Sequence, residues 1–220
     1  MIHPHSVTSS DVVVPPHGLA GTLSVVKNSN GLIVFAHGSG SSHLSPRNLA
    51  VAKALNDRNF ATFLFDLLTQ EEEADRANVF DIQLLAERLV EAVQWLDGQT
   101  PAIARLPVGL FGASTGAAAA LLAAARLPER ISAVVSRGGR PDLAGEALAK
   151  VRAATLLIVG GADHGVIELN EEAFARLHAP KAIEIVAGAT HLFPEPGAMD
   201  AVIGHAARWF ESHLIKPQCD

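Results

Sequence analysis

The sequence has no tyrosine, one cysteine and only 5% aromatic residues in 220. The lone Cys219 cannot form an internal disulfide, and a thiolate cluster for zinc or iron–sulfur is excluded. With so few aromatics, the core must be built mostly of Ala, Val, Leu and Ile. Positive charge is also scarce. Lys and Arg number 17 against 23 Asp and Glu, a net charge of -6, and no basic stripe overrides it. An acidic chain repels phosphate backbones, so no nucleic acid partner is expected. Met1 to Ser10 lacks a basic region followed by an apolar run, which implies no signal peptide and a cytoplasmic location. One uncharged stretch, Leu106 to Ala125, approaches the length that spans a bilayer. It contains Pro107, Gly109, Gly112, Ser114, Thr115 and Gly116, however, and reads better as a strand, a tight turn and a buried helix.

What is present is an apolar, globular composition: 49% hydrophobic and 18% charged. The length suits one domain, residues 1–220, with no linker, repeat or low-complexity tract. Val12 to Val14 and Leu19 to Val26 flank Pro15-Pro16-His17-Gly18, a turn signal, and predict an antiparallel hairpin at a sheet edge. Continuous apolar or β-rich runs follow at Leu32 to Ala36, Ala61 to Phe65, Val108 to Phe111, Ile131 to Val135, Thr155 to Val159 and Ala182 to Val186. Such runs suit strands covered on both faces. Helices are predicted over Pro46 to Asn59 (capped by Ser45), Phe80 to Leu96, Thr115 to Leu127, Leu143 to Lys150, Glu168 to Leu177 and Ala198 to Leu214. Strands alternating with helices imply parallel pairing and helices on both faces. The expected fold is therefore a three-layer α/β/α sandwich with a mainly parallel sheet and no large lid domain. Glu71-Glu72-Glu73 reads as a solvated loop, or as a flap beside a pocket.

Gly112-Ala113-Ser114-Thr115-Gly116 is a G-x-S-x-G motif. A strand leads in and an Ala-rich helix leads out, the strand–turn–helix setting of a nucleophile elbow. The turn is tight enough to demand small neighbours, hence Gly112 and Gly116, and Ala117 and Ala118 keep the next turn slim. A serine hydroxyl needs a base, and the base needs an orienting carboxylate. On this architecture the chain order is Ser, acid, His. Asp163 follows the strand Thr155 to Val159, and His191 follows Ala182 to Val186, both at the sheet edge that carries Ser114. His164 competes for the role of base, and Glu168 and Asp142 compete for the role of acid.

Oxyanion stabilisation requires two amides. The Thr115 N–H is one candidate. The other is the Ser39 N–H, in the small-residue loop His37-Gly38-Ser39-Gly40-Ser41-Ser42. That loop lacks both a Gly-Lys-Ser/Thr ending and a G-x-G-x-x-G pattern, so it does not read as a phosphate loop. His37 reads as a structural hydrogen-bonding residue. Ser136-Arg137-Gly138-Gly139-Arg140-Pro141 is either a solvated turn or a clamp for an anionic substrate built on Arg137, with His43 and Arg47 opposite.

With these residues in place, the chain resembles the dienelactone hydrolase-like branch of the α/β-hydrolase superfamily over nearly its whole length. The segments that carry the resemblance are Phe35 to Ser42, Phe65 to Thr69, Phe111 to Gly116, Ser136 to Asp142 and Thr190 to Phe193. Members of that subgroup sometimes carry a fused phosphoribosyltransferase domain, which these 220 residues do not include. Dienelactone hydrolases use a cysteine nucleophile. This chain has Ser114 there, so the resemblance implies general ester hydrolysis through a serine. The expectation is a monomer or homodimer acting on small soluble esters with no metal or organic cofactor. Rival readings are a thioesterase or transacylase, a dienelactone hydrolase, and a non-catalytic partner protein.

Overall fold

The computed structural model describes residues 6–214. His3, His5 and Cys219 lie outside that range. The strands are β1 (Val7–Val14), β2 (Leu19–Val26), β3 (Leu32–Ala36), β4 (Ala61–Phe65), β5 (Val108–Ala113), β6 (Ile131–Arg137), β7 (Ala154–Gly160) and β8 (Lys181–Val186). They form one eight-stranded sheet in the order β1-β2-β4-β3-β5-β6-β7-β8. β1 pairs antiparallel with β2, and β2 with β4; every other pairing is parallel. The hairpin thus sits at the sheet edge, and its first strand begins at Val7 rather than Val12. The extra residues are mostly exposed, so hydrophobic pattern did not reveal them.

The main helices are α1 (Pro46–Asn56), α4 (Ile82–Asp97), α6 (Thr115–Arg126), α7 (His164–Arg176) and α8 (Ala198–Leu214), with short α2 (Gln70–Ala74), α3 (Arg76–Val79) and α5 (Pro101–Ala104). α4, α6 and α7 cover one face of the sheet, and α1 and α8 the other, giving three layers with two cores. Leu106 to Ala125 resolves into β5, the Ser114 turn and α6, with Ala117 to Ala120 all fully buried. Alanine's small volume lets α6 lie close against the sheet. Among the described residues, no helix is long and apolar enough to cross a membrane.

Aromatics are few, yet they are placed centrally. Seven of the nine phenylalanines are buried: Phe35, Phe60, Phe63, Phe65, Phe111, Phe193 and Phe210. Phe35 and Phe111 meet at 5.0 Å on adjacent strands, and Phe60 meets Phe210 of α8 at 6.5 Å. Such pairs add about 0.5–1.5 kcal/mol beyond area burial.

α1 stops at Asn56 rather than Asn59, and three further segments depart from the expected elements. Glu71-Glu72-Glu73 is helical, within α2. Thr69 caps it, and Glu72 returns the capping box; Glu72 also accepts from Arg88 at 2.8 Å. Burial would raise the Glu72 pKa, but the bonds from Thr69 and Arg88 outweigh it and hold the carboxyl below its ordinary value. α7 begins at His164, four residues earlier than expected, because its first turn forms directly on the Asp163 carbonyl. Gly165, Val166 and Ile167, weak helix formers, concealed that turn. The short helix expected over Leu143 to Lys150 begins earlier, at Pro141, and is a 3-10 segment broken at Gly145.

Candidate active site

β5 delivers the chain to Ser114 at the carboxyl edge of the sheet, and α6 leaves directly afterwards. Ser114 has φ 51° and ψ -122°, a conformation that costs a residue with a Cβ on the order of 1–3 kcal/mol. The surroundings enforce it. The Ser114 carbonyl accepts from Ala117 and Arg140 amides at 3.1 Å, and the Ser114 amide donates to the Arg137 carbonyl at 3.4 Å. Gly116 allows the elbow to close, since a Cβ there would stand 2.2 Å from the Ala36 carbonyl oxygen.

Asp163 follows β7 and His191 follows β8, so parallel register brings both loops to the same edge. His191 Nδ1–H donates to Asp163 Oδ2 at 2.7 Å. Asp163 sits at the start of α7, yet its side chain makes no capping bond and is committed to the imidazole. The loop is braced on its far side, where Thr190 Oγ1 donates to Glu195 at 2.6 Å. That bond lowers the Glu195 pKa. Ser114 and His191 line one cleft with Gly38, Ser39, Arg47 and Arg137, about 170 Å³ in volume. This is small beside drug-sized pockets. A larger hollow, about 600 Å³ and lined by Pro128, Lys150 and His178, opens at the opposite edge of the sheet, remote from Ser114. Among the described residues, no hydrogen bond yet joins Ser114 Oγ to His191; such bonds commonly tighten only with substrate bound. The competitors stand apart: His164 and Glu168 are exposed on α7, and Asp142 forms a bidentate pair with Arg140 at 2.8 and 2.9 Å.

Gly138 also governs His191. It has φ 50°, and a Cβ there would lie 2.8 Å from the His191 carbonyl oxygen. Gly138→Ala is expected to cost on the order of 1–2 kcal/mol and to move the imidazole off Asp163. Urea denaturation reads the first effect. The NMR signal of the His191 Nδ1 proton reads the second, and an unshifted resonance would refute it.

The Ser39 and Thr115 amides flank Ser114, and neither donates to a turn or loop carbonyl among the described residues. Thr115 also borders a small hollow with Ser39, Leu67, Leu68, Val79 and Leu85, and its buried Oγ1 has no hydrogen-bond partner among the described residues. His37 is structural, as its pattern implied: Nδ1 bonds the Gly38 carbonyl at 3.0 Å, and Nε2 accepts from the Leu67 amide at 3.1 Å. Arg137 is only 6% exposed. Burial, and then the nearby Arg47 charge, lower its pKa from the ordinary arginine value to about 10. Arg47 lines the cleft with it, whereas His43 does not. The His43 backbone N–H and Nδ1 both bond Asp66, at 2.7 and 2.9 Å.

The model of the α/β hydrolase fold family matches residues 31–176. The chain belongs to the α/β-hydrolase family. The structure of a dienelactone hydrolase from Anabaena variabilis is 51% identical, with a TM-score of 0.90, covering 96% of this chain and all of that one. This α/β-hydrolase therefore falls in the dienelactone hydrolase-like group. Carboxyl esterase 2 of Tuber melanosporum, 18% identical over 96% of this chain and 88% of its own, shares the fold with a TM-score of 0.74. Two curated Mycobacterium tuberculosis sequences, provisionally named phosphoribosyl transferase, are 56% identical over 206 residues. That alignment takes in 94% of this chain and 46% of theirs, so the hydrolase spans about half the length of the curated relatives it matches.

Several residues that shape the α/β-hydrolase site escaped the sequence reading. Asn170, fully buried on α7, donates to the Gly139 carbonyl at 3.1 Å and so holds the Arg137 loop. Phe193 lies beneath the Arg137 guanidinium, 6.0 Å from ring centre to Cζ. Asp66, at the end of β4, collects His43. A polar residue on the apolar face of α7 was the available signal for Asn170. Phe193 and Asp66 fall in segments that carry the family resemblance, but nothing local shows which side chains they meet.

Proposed function

We propose that this protein is a serine hydrolase of small carboxylic esters. Ser114 Oγ attacks the ester carbonyl while His191 Nε2 accepts its proton. Asp163 fixes the tautomer that leaves Nε2 free and stabilises the imidazolium that forms. The Ser39 and Thr115 amides receive the developing oxyanion. His191 returns the proton to the departing alkoxide. Water, activated by the same imidazole, then hydrolyses the acyl-enzyme. The observation that carries this reading is the 2.7 Å His191–Asp163 bond, which orients a base in the cleft that Ser114 also lines. No step requires a metal or an organic cofactor. The small cleft supports a small-molecule substrate, and a cytoplasmic monomer or homodimer completes the proposal.

A second reading has specific support. The Anabaena relative is named a dienelactone hydrolase, and a lactone is a cyclic ester open to the same steps. A thioester or an alcohol acceptor would likewise use the same groups. The transferase name of the Mycobacterium relatives belongs to proteins about twice as long, and a partner role beside such a domain is the non-catalytic alternative.

A fluorophosphonate probe tests the core of the proposal. Incubated with the wild type, it is expected to add one label, found by mass spectrometry on the peptide bearing Ser114. Turnover of p-nitrophenyl acyl esters of increasing chain length, with lactone and thioester comparisons, then ranks the substrates. A wild-type protein that neither labels nor turns over any of them would favour the partner role.

A further inference from the structure

We propose that the cleft contains a phosphate subsite, formed by Arg137, Arg47, Ser45 and the first turn of α1. It rests on the ester-hydrolase reading only in taking the bound group to be part of the substrate.

Arg137 is the starting point. It is 94% buried, and its Nε has no hydrogen-bond partner. Among the described residues, no carboxylate lies within ion-pair reach of it. The other buried arginine, Arg88, is neutralised by Glu72 and Glu91, and Arg140 by Asp142. A buried guanidinium with no carboxylate beside it is poorly compensated within the protein, which favours an anion in the cleft it lines. Its position in the cleft wall beside Ser114 says where the anion would sit.

The opposite wall has the same character. Arg47 stands at the second position of α1, lines the cleft and forms no ion pair among the described residues. Ser45 is the N-cap of α1, yet its side chain makes no capping bond, although it is buried and faces the cleft. The first turn of this eleven-residue helix holds no acidic side chain, and Pro46 occupies its first position. The next two amides, of Arg47 and Asn48, have no carbonyl inside the helix to bond. A helix N-terminus free of acid favours an anion.

Charge and donor count separate phosphate from carboxylate. No residue lining the cleft is acidic. Two guanidinium charges balance one phosphate monoester dianion, whereas a carboxylate leaves one of them unmatched. Forked guanidinium N–H groups, a serine hydroxyl and helix amides are all donors, and they suit the three oxygens of a phosphoryl group. The substrate class is then a small ester carrying a phosphate on the side away from the scissile bond.

Isothermal calorimetry with inorganic phosphate tests the subsite without any turnover. Wild type and Ser114→Ala are both expected to bind phosphate saturably at millimolar concentration or below, and acetate about 10-fold more weakly. Arg137→Met and Arg47→Met should each weaken phosphate by about 10-fold. Arg137→Lys, which keeps the charge and loses the fork, should fall between Arg137→Met and wild type. Thermal melting of each variant confirms that it is folded. Phosphate affinity unchanged in folded Arg137→Met, acetate equal to phosphate, or no saturable binding by wild type would each overturn the proposal. Because Ser114→Ala carries the same test, failure of ester hydrolysis and failure of the subsite are read separately.

Discussion

Ser114→Ala is expected to lower ester turnover by roughly 10⁴-fold or more, with melting temperature nearly unchanged. Under the proposed mechanism the loss is large, because every later step passes through the acyl bond to this oxygen. The fold is spared because the bonds that hold the elbow use the Ser114 backbone: Ala117 and Arg140 amides to its carbonyl, and its own amide to Arg137. Alanine preserves all three. The side chain itself makes no hydrogen bond that folding would lose among the described residues. The residual rate should come from oxyanion stabilisation and substrate binding alone. Adding His191→Ala to this variant should cost little more, since nucleophile and base act as one unit. Matched assays of the two single variants and the double variant check both claims. Retained turnover in Ser114→Ala, or additive losses in the double variant, would remove Ser114 from the mechanism.

Gly116→Ala should be the most damaging single methyl group in this region. Its Cβ would stand 2.2 Å from the Ala36 carbonyl oxygen and 2.5 Å from that of His37. Both are backbone atoms at the end of β3, held by parallel pairing with β4 and β5. Neither can rotate aside as a flexible side chain would. Relief requires the start of α6 to move away from the sheet, against the fully buried Ala117 to Ala120. The expected cost is about 3–5 kcal/mol. For a chain of this size that is a fall in Tm of roughly 10 °C. Ester hydrolysis should decline as well, because the segment that moves begins at Ser114 and the Thr115 amide. Gly165→Ala is the control: nothing lies within 4 Å of its Cβ on α7, and a gain of up to about 1 kcal/mol is expected from helix propensity. Urea melts of the pair make the comparison, and equal stabilities would show that the elbow tolerates bulk.

The layered fold was readable because its signals are local. Buried parallel strands are apolar throughout, and Leu32–Ala36 and Ala61–Phe65 are buried at every position. The helices misjudged were those whose starts depend on a few polar contacts. α2 hangs on the Thr69 and Glu72 capping box, a pattern visible in the sequence but masked by the run of glutamates. α7 hides its first turn behind a glycine and two β-branched residues. The Asp163–His191 pairing was legible because both residues follow strand ends, where side chains from distant segments converge.

The sequence by itself determined the alternation of strands and helices, the strand–Ser114–helix turn and the chain order of Ser114, Asp163 and His191. These follow from hydrophobic period, small-residue spacing and element succession, all properties of neighbouring residues. Tertiary structure alone decided what each polar side chain meets. It drew His43 to Asp66 and Arg140 to Asp142, and buried Arg137 with no acid beside it. The reason is physical. Whether a charge is paired or stranded depends on which loops the strand order β3-β5-β6-β7-β8 brings to one edge of the sheet, and no local pattern encodes that order.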